Sequence, residues 1–194
     1  MGSITALRAF TLALGAAWTI NGIAWAQDDG KVLFETCKGC HAVANYKTNY
    51  PTYKVPKLGG QNAQYVVDAL KGYRDATRTH TTMHAQAASL TDEQMLAIGT
   101  YLQGLAQLTP GAGSPPEKAG QCVACHGGNG VAAAPNFPNL AGQHEDYLKH
   151  SLDQYKSKGR QNPIMAGFAA ALTEEDIAAL AAYYSSQSGL ETAH

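Results

Sequence analysis

An all-α protein built from two similar domains in tandem is predicted by three observations. These are an internal duplication, a helical period in each copy, and a Pro/Gly-rich segment between the copies. The duplication is seen when Pro56 is set over Pro138. At that offset the pattern Pro-x-Leu-x-Gly-Gln at residues 56–61 falls on residues 138–143, Tyr65 on Tyr147, Leu70 on Leu152 and Tyr73 on Tyr155. Arg78 then meets Arg160, Met83 meets Met165, Leu90-Thr91 meets Leu172-Thr173, Glu93 meets Glu175 and Tyr101 meets Tyr183.

Residues 1–26 have the layout of a secretory signal peptide. Arg8 supplies a short basic region, residues 9–20 an apolar run, and Ala24-Trp25-Ala26 a small-x-small cleavage site. Thr11, Thr19 and Asn21 interrupt the run, which falls short of the ~20 apolar residues that cross a bilayer. Retention as an uncleaved anchor is the competing reading. The mature chain then begins near Gln27, with a first domain at 27–108, a linker at 109–116 and a second domain at 117–194. The linker reads Thr-Pro-Gly-Ala-Gly-Ser-Pro-Pro, a composition that propagates neither helix nor strand and favours an extended tether.

Within the first domain, Asp28 or Asp29 caps a helix running into Cys37. Residues 61–75 place Tyr65, Val66, Ala69, Leu70 and Tyr73 on one helical face, and residues 143–158 form the counterpart. Met83 and Met165 fall in the stretches that follow, which read as loops. Thr91-Asp92-Glu93-Gln94 is a capping-box pattern opening a last helix with Met95, Ile98 and Leu102 on one face, and Thr173-Glu174-Glu175-Asp176 opens its copy. No run alternates convincingly as a strand.

The chain of 194 residues is 45% hydrophobic and only 15% charged. The formal net charge is −1, and removal of residues 1–26 takes away Arg8 and no acid, leaving 13 basic against 15 acidic residues. No Lys/Arg cluster forms the basic footprint needed to bind nucleic acid, so that partner class is excluded. Each half, of about 80 residues, is near the size at which an apolar core alone is marginal, so a core-filling cofactor is expected.

Each half carries one Cys-x-x-Cys-His: Cys37, Cys40 and His41 in the first, Cys122, Cys125 and His126 in the second. This spacing reads as covalent c-type haem attachment. Two thiols about one helical turn apart can form thioethers to both vinyl groups of one porphyrin, and the next histidine becomes the proximal iron ligand. A thioredoxin-like pair lacks its βαβ context here. A structural disulfide leaves the repeated histidine unexplained, and zinc would want four ligands where each cluster supplies three.

The sixth ligand is sought among the methionines. Met1 leaves with the leader, and Met95 sits at core spacing over Ile177. Met83 and Met165 occupy equivalent positions and are the candidate axial ligands. His80 and His84 flank Met83 and are its rivals, but their counterparts are Asn162 and Ala166, so a shared scheme uses the methionines. His144, His150 and His194 read as exposed and unliganded. A soft thioether opposite histidine favours reduced iron, and a six-coordinate iron has no open position for substrate, so the reading is an electron carrier and not an enzyme. Pro56 and Pro138 are expected to shape the backbone near the proximal histidines, and Tyr, Arg and Gln side chains are weaker candidates for propionate partners.

With these motifs in place, the chain resembles cytochrome c4, the dihaem cytochromes of bacterial periplasms. The resemblance rests on both Cys-x-x-Cys-His sites, on Pro-Asn-Phe-Pro-Asn-Leu-Ala-Gly-Gln at residues 135–143, on Asn162-Pro163-Ile164-Met165 and on Ala181-Ala182-Tyr183-Tyr184-Ser185. It implies two class I cytochrome c domains related by pseudo-twofold symmetry, with two covalently attached haem c groups whose propionates face the domain interface. Carried over by position, the iron ligands are His41 with Met83 and His126 with Met165. Similar proteins are periplasmic, pass electrons from a quinol-oxidising complex or small donor toward a terminal oxidase, and include some peripherally associated with the inner membrane. A cytochrome subunit of a larger dehydrogenase, resembling flavocytochrome c, is the alternative. The first half departs from the pattern: three extra residues precede Pro56, and Tyr50-Pro51-Thr52-Tyr53 stands in place of the Pro-Asn-Phe-Pro segment.

Overall fold

The computed structural model describes residues 29–47 and 52–194; the expected signal peptide, and Tyr50-Pro51 of the departing loop, lie outside the described residues. The first half contains α1 (Gly30–Phe34), α2 (Lys38–His41), α3 (Ala63–Arg74), α4 (Thr81–Ala87) and α5 (Asp92–Gly104). The second begins with a 3-10 turn at Glu117–Ala119 and continues through α6 (Gly120–His126), α7 (Glu145–Lys156), α8 (Pro163–Ala170) and α9 (Glu174–Ser186). Among the described residues there is no strand, only three isolated bridges. None of the described helices is long and apolar enough to cross a membrane.

Local signals decide most helix ends. The Asp29 carboxylate accepts from the Lys31 N–H at 2.9 Å and starts α1, but this helix stops at Phe34 and the chain turns before α2. Both expected capping boxes form: Thr91 exchanges hydrogen bonds with Gln94, and Thr173 with Asp176. Two helices replace what the sequence suggested were loops. In α8, Asn162 accepts from the Met165 N–H and Pro163 takes the first turn, where its missing N–H costs nothing. In α4, the imidazole of His80 does the same for Met83.

Each half buries its own core. Phe34, Val66, Ile98 and Leu102 form one, and Ala119, Leu148, Leu180, Ala181 and Tyr184 the other. Equivalent positions exchange volume: Phe34 and Leu102 of the first half stand where the second has Ala119 and Tyr184, so a large residue moves from one helix to the other while the space stays filled. Met95 is fully buried, as a core residue should be.

The halves meet about a pseudo-twofold axis. Arg78 and Arg160 form an antiparallel bridge with each other. The Thr79 N–H donates to Gly159 O at 2.8 Å, and the equivalent Gln161 N–H donates to Thr77 O at 2.8 Å. The segment 109–116 is no free tether: Gly111 and Asn129 exchange hydrogen bonds, and the Ser114 N–H donates to the Tyr183 hydroxyl. The C-terminal tail crosses back, pairing Glu191 with Gly59 and placing Ala193 in the first core.

The departing loop crosses too. Tyr53 is buried, stacks on His150 with ring centroids 4.0 Å apart, and the Lys54 N–H donates to the Asp146 carboxylate. His144 and His150 are therefore half-buried rather than exposed, because this loop and the facing half cover them; His194 is exposed.

Two outcomes follow from this packing. A Cβ on Gly30 would stand 2.0 Å from the carbonyl oxygen of Ala97, so Gly30→Ala should push α1 off α5 and cost about 1–3 kcal/mol, read as a lowered denaturation midpoint. Burial, then the charges of Arg160, His80 and Arg78, holds the His150 imidazole down to about 4. Unfolded, it titrates near ~6.5, so between the two values the unfolded chain binds the extra proton. This contribution to stability is complete above that window and is lost as pH falls toward 4. Thermal unfolding across the window should show the decline, and His150→Phe, which keeps a stacking ring without the proton, should flatten it.

Candidate functional site

The five residues of each Cys-x-x-Cys-His motif occupy a single helical turn. In the first, the N–H groups of Cys40 and His41 both reach back to the Cys37 carbonyl; in the second, Cys122 to His126 end α6. None of the four cysteines is spent on a disulfide, so all four sulfurs are available for thioether attachment.

The two histidines are held alike. His41 Nδ1 lies 3.0 Å from Pro56 O, and His126 Nδ1 lies 3.0 Å from Pro138 O. A carbonyl can only accept, so each Nδ1 carries the proton and each Nε2 keeps its lone pair. Burial lowers both histidines below their usual value, with the proline carbonyls acting the other way, so both are neutral and in the form that binds a metal. The sequence expectation for the two prolines is met, and the group responsible is their carbonyl.

Met83 and Met165 are the third residues of α4 and α8, both half-buried. Their backbone N–H groups are fixed by His80 and Asn162 at 3.2 and 3.0 Å. His80 is close enough to His41 to affect its protonation, which brings the start of α4 to the first motif. His84 turns away, with Nδ1 2.8 Å from Tyr73 O. In the second half Cys122, Cys125, His126 and Met165 all line one cavity of about 400 Å³, which continues past Leu58, Tyr65 and Arg78 of the first half.

That cavity wall asks for a large, partly anionic occupant. Arg78 and Arg160 are buried, and among the described residues neither has a carboxylate partner. Both donate to the Tyr147 hydroxyl, at 2.8 and 3.1 Å, and rest over the rings of Tyr73, Tyr147 and Tyr155. Burial alone would raise Tyr147, but the two guanidiniums outweigh it and hold the phenol below its usual value. Arg78 Nε and Tyr184 Oη, both on the wall, are buried with no hydrogen-bond partner among the described residues. A haem fits this demand, since its ring fills apolar space and its two propionates supply the missing negative charge.

The glutamines of the repeated Pro-x-Leu-x-Gly-Gln pattern were weak candidates for propionate partners. They do something else. Gln143 accepts from the Lys57 N–H at 2.9 Å and donates to Lys57 O at 2.9 Å. Gln61 accepts from the Asn139 N–H at 2.8 Å and donates to Asn139 O at 3.0 Å. Residues 57 and 139 are themselves equivalent, so each glutamine clasps the same backbone position of the opposite half. The repeated motif marked these residues in the sequence, but nothing local to it named the partner.

The family model of cytochrome c matches residues 27–106 and 118–188. Cytochrome c4 of Thiocapsa roseopersicina is 43% identical over 167 residues, covering 76% of this chain and 84% of that protein. The thiosulfate dehydrogenase electron acceptor of Stutzerimonas stutzeri is 29% identical over 177 residues, covering 81% of this chain and 80% of that protein. The crystal structure of reduced cytochrome c4 from Pseudomonas stutzeri superposes with a TM-score of 0.65 at 27% identity, covering 85% of this chain and 98% of that one. Two attachment motifs on two equivalent helical units, matched twice by one family, lead to one conclusion: the chain belongs to the cytochrome c family, as an electron-transfer protein of the cytochrome c4 kind that carries two covalently attached haem c groups.

Proposed function

We propose that Cys37 and Cys40 hold the first haem and Cys122 and Cys125 the second, with His41 and Met83 ligating one iron and His126 and Met165 the other. The observation that carries this reading is the repeated arrangement of a neutral buried histidine, its Nδ1 occupied by a proline carbonyl, and a methionine fixed at the start of a capped helix. Of the two flanking histidines, His80 is disfavoured by chemistry. His80 Nδ1 accepts the Met83 N–H, so the proton sits on Nε2, the nitrogen that would have to face the iron. Arg78 and Arg160 are assigned to the propionates, and the domains to residues 27–108 and 117–194 on either side of 109–116.

Haem c supplies a one-electron couple; the chain fixes the ring, excludes water and sets the potential. With histidine and methionine both bound, neither iron offers a position to a substrate, so the assigned role is transfer between proteins. The leader-like residues 1–26 support work in the periplasm, between a quinol-oxidising complex and a terminal oxidase. A second reading, as the acceptor subunit of a dehydrogenase, is favoured by the likeness to thiosulfate dehydrogenase electron acceptors. Stoichiometric co-purification with a catalytic chain would select it.

A redox titration followed by visible absorbance should show two one-electron steps at positive potential and the weak far-red band of methionine-ligated ferric haem. A missing band, or a strongly negative potential at either haem, would assign another ligand to that iron. Met83→Ala and Met165→Ala should each open one iron, so that the ferrous variant binds carbon monoxide at one haem per chain while the parent protein binds none. A variant that still refuses carbon monoxide would remove that methionine from the ligand set.

A further inference from the structure

The carbonyl of Pro56 and the N–H of Lys57 belong to one peptide unit, as do the carbonyl of Pro138 and the N–H of Asn139. In the first unit the oxygen faces His41 Nδ1 at 3.0 Å, while the N–H donates to Gln143 Oε1 at 2.9 Å. In the second the oxygen faces His126 Nδ1 at 3.0 Å, while the N–H donates to Gln61 Oε1 at 2.8 Å. The amide orientation is forced, because each glutamine also donates from Nε2 to the carbonyl of the clasped residue, and only one end of the amide can do each job.

These are two hydrogen-bond chains in series, each running from a histidine of one half through a conjugated peptide to a glutamine of the other. Donating a bond from the peptide N–H polarises the peptide and makes its carbonyl a better acceptor. A better acceptor on Nδ1–H shifts charge onto the imidazole and makes Nε2 a stronger donor to iron. A stronger donor favours Fe(III) over Fe(II) and lowers the potential for the uptake of one electron.

We infer that each glutamine is a positioning residue that tunes the haem of the opposite domain: Gln143 sets the potential of the first haem through Lys57, Pro56 and His41, and Gln61 that of the second through Asn139, Pro138 and His126. The inference rests on His41 and His126 being the proximal ligands. It also makes the interface a redox element, since any separation of the halves releases both peptide N–H groups and moves both potentials upward.

The geometry favours this over a purely structural clasp for a specific reason. Each interface holds further bonds that would serve adhesion alone: Lys57 Nζ donates to Gly142 O at 2.7 Å, and Asn139 Nδ2 donates to Gly60 O at 2.9 Å. The glutamine oxygens are shared with the adjacent His144 and Asn62 N–H groups, which fixes them even when one clasp bond is lost.

The test is a redox titration of the intact dihaem protein, each haem followed by its own methyl proton resonances, assigned through contacts to residues of its own half. Gln143→Leu should raise the potential of the first haem and leave the second unchanged; Gln61→Leu should do the reverse. The expected effect is about a threefold to tenfold shift in the oxidised-to-reduced ratio at fixed ambient potential, tenfold being ~59 mV for one electron. Gln143→Glu, which keeps and strengthens the acceptor, should lower the first haem instead, and serves if the leucine variant does not fold. A shift confined to the haem of the mutated domain, an equal shift of both, or no shift would overturn the inference. Nitrogen-15 histidine labelling of the parent protein reads the ligation separately. Loss of a hyperfine-shifted imidazole Nδ1–H at either ferric haem would overturn the proximal assignment and the link with it, whereas its presence with unmoved potentials overturns the link alone.

Discussion

A proline carbonyl fixes one nitrogen of each buried histidine, and the orientation of that imidazole is no better defined than the peptide that carries the carbonyl. The peptide is planar, so holding its N–H holds its oxygen. In both halves the group that holds the N–H comes from the other half. The aim of each Nε2 therefore depends on the interface, and the glutamine that secures it sits just before the N-cap of the helix, α3 or α7, that walls the cavity. Fold, interface and site converge on one peptide unit per half.

The second constraint is charge. Two guanidiniums buried side by side carry a desolvation cost of several kcal/mol each. Stacking on Tyr73, Tyr147 and Tyr155 returns ~0.5–2 kcal/mol per contact, and hydrogen bonds to the Tyr147 hydroxyl return a similar amount. These terms do not close the deficit for a cationic pair, so an anion belongs against them. On the proposed assignment haem propionates supply that anion, and the cofactor is then a structural part of the seam between the halves as well as the carrier of electrons.

What could be read from the sequence was what is local. Thr91 and Thr173 announce their helices through residues three positions away, and Met95 announces its burial through helical spacing. The helix α8 was equally available, because Asn162-Pro163 is an N-cap followed by a first-turn proline; α4 was not, because its cap is a histidine and Thr-Thr-Met-His-Ala-Gln-Ala shows no apolar stripe. The partners of Gln61 and Gln143 lie in the opposite repeat, and a side-chain amide carries no mark of the backbone it will meet. His150 was misjudged for the same reason, since its cover is Tyr53, in the loop where the first half departs from the pattern.

Duplication has preserved geometry while allowing chemistry to drift. Lys57 and Asn139 are clasped alike because the clasp uses only backbone, and each still reaches the carbonyl of Gly142 or Gly60 with a different side chain. His80 and Asn162 cap alike because each offers one acceptor to a methionine N–H. They differ in what else they bring: His80 adds a titratable ring near His41, where the second site has a neutral amide. Lys57, beside the first histidine's peptide, has a charge where Asn139 has none. On the proposed ligation, equal ligand frames in unequal local fields give unequal potentials, since charge and burial around an iron set its potential together with the ligands. A chain with two such sites has a built-in direction for the electron it holds, and the hydrogen-bonded seam that aims both histidines is the structure that keeps the two sites in fixed relation while it moves.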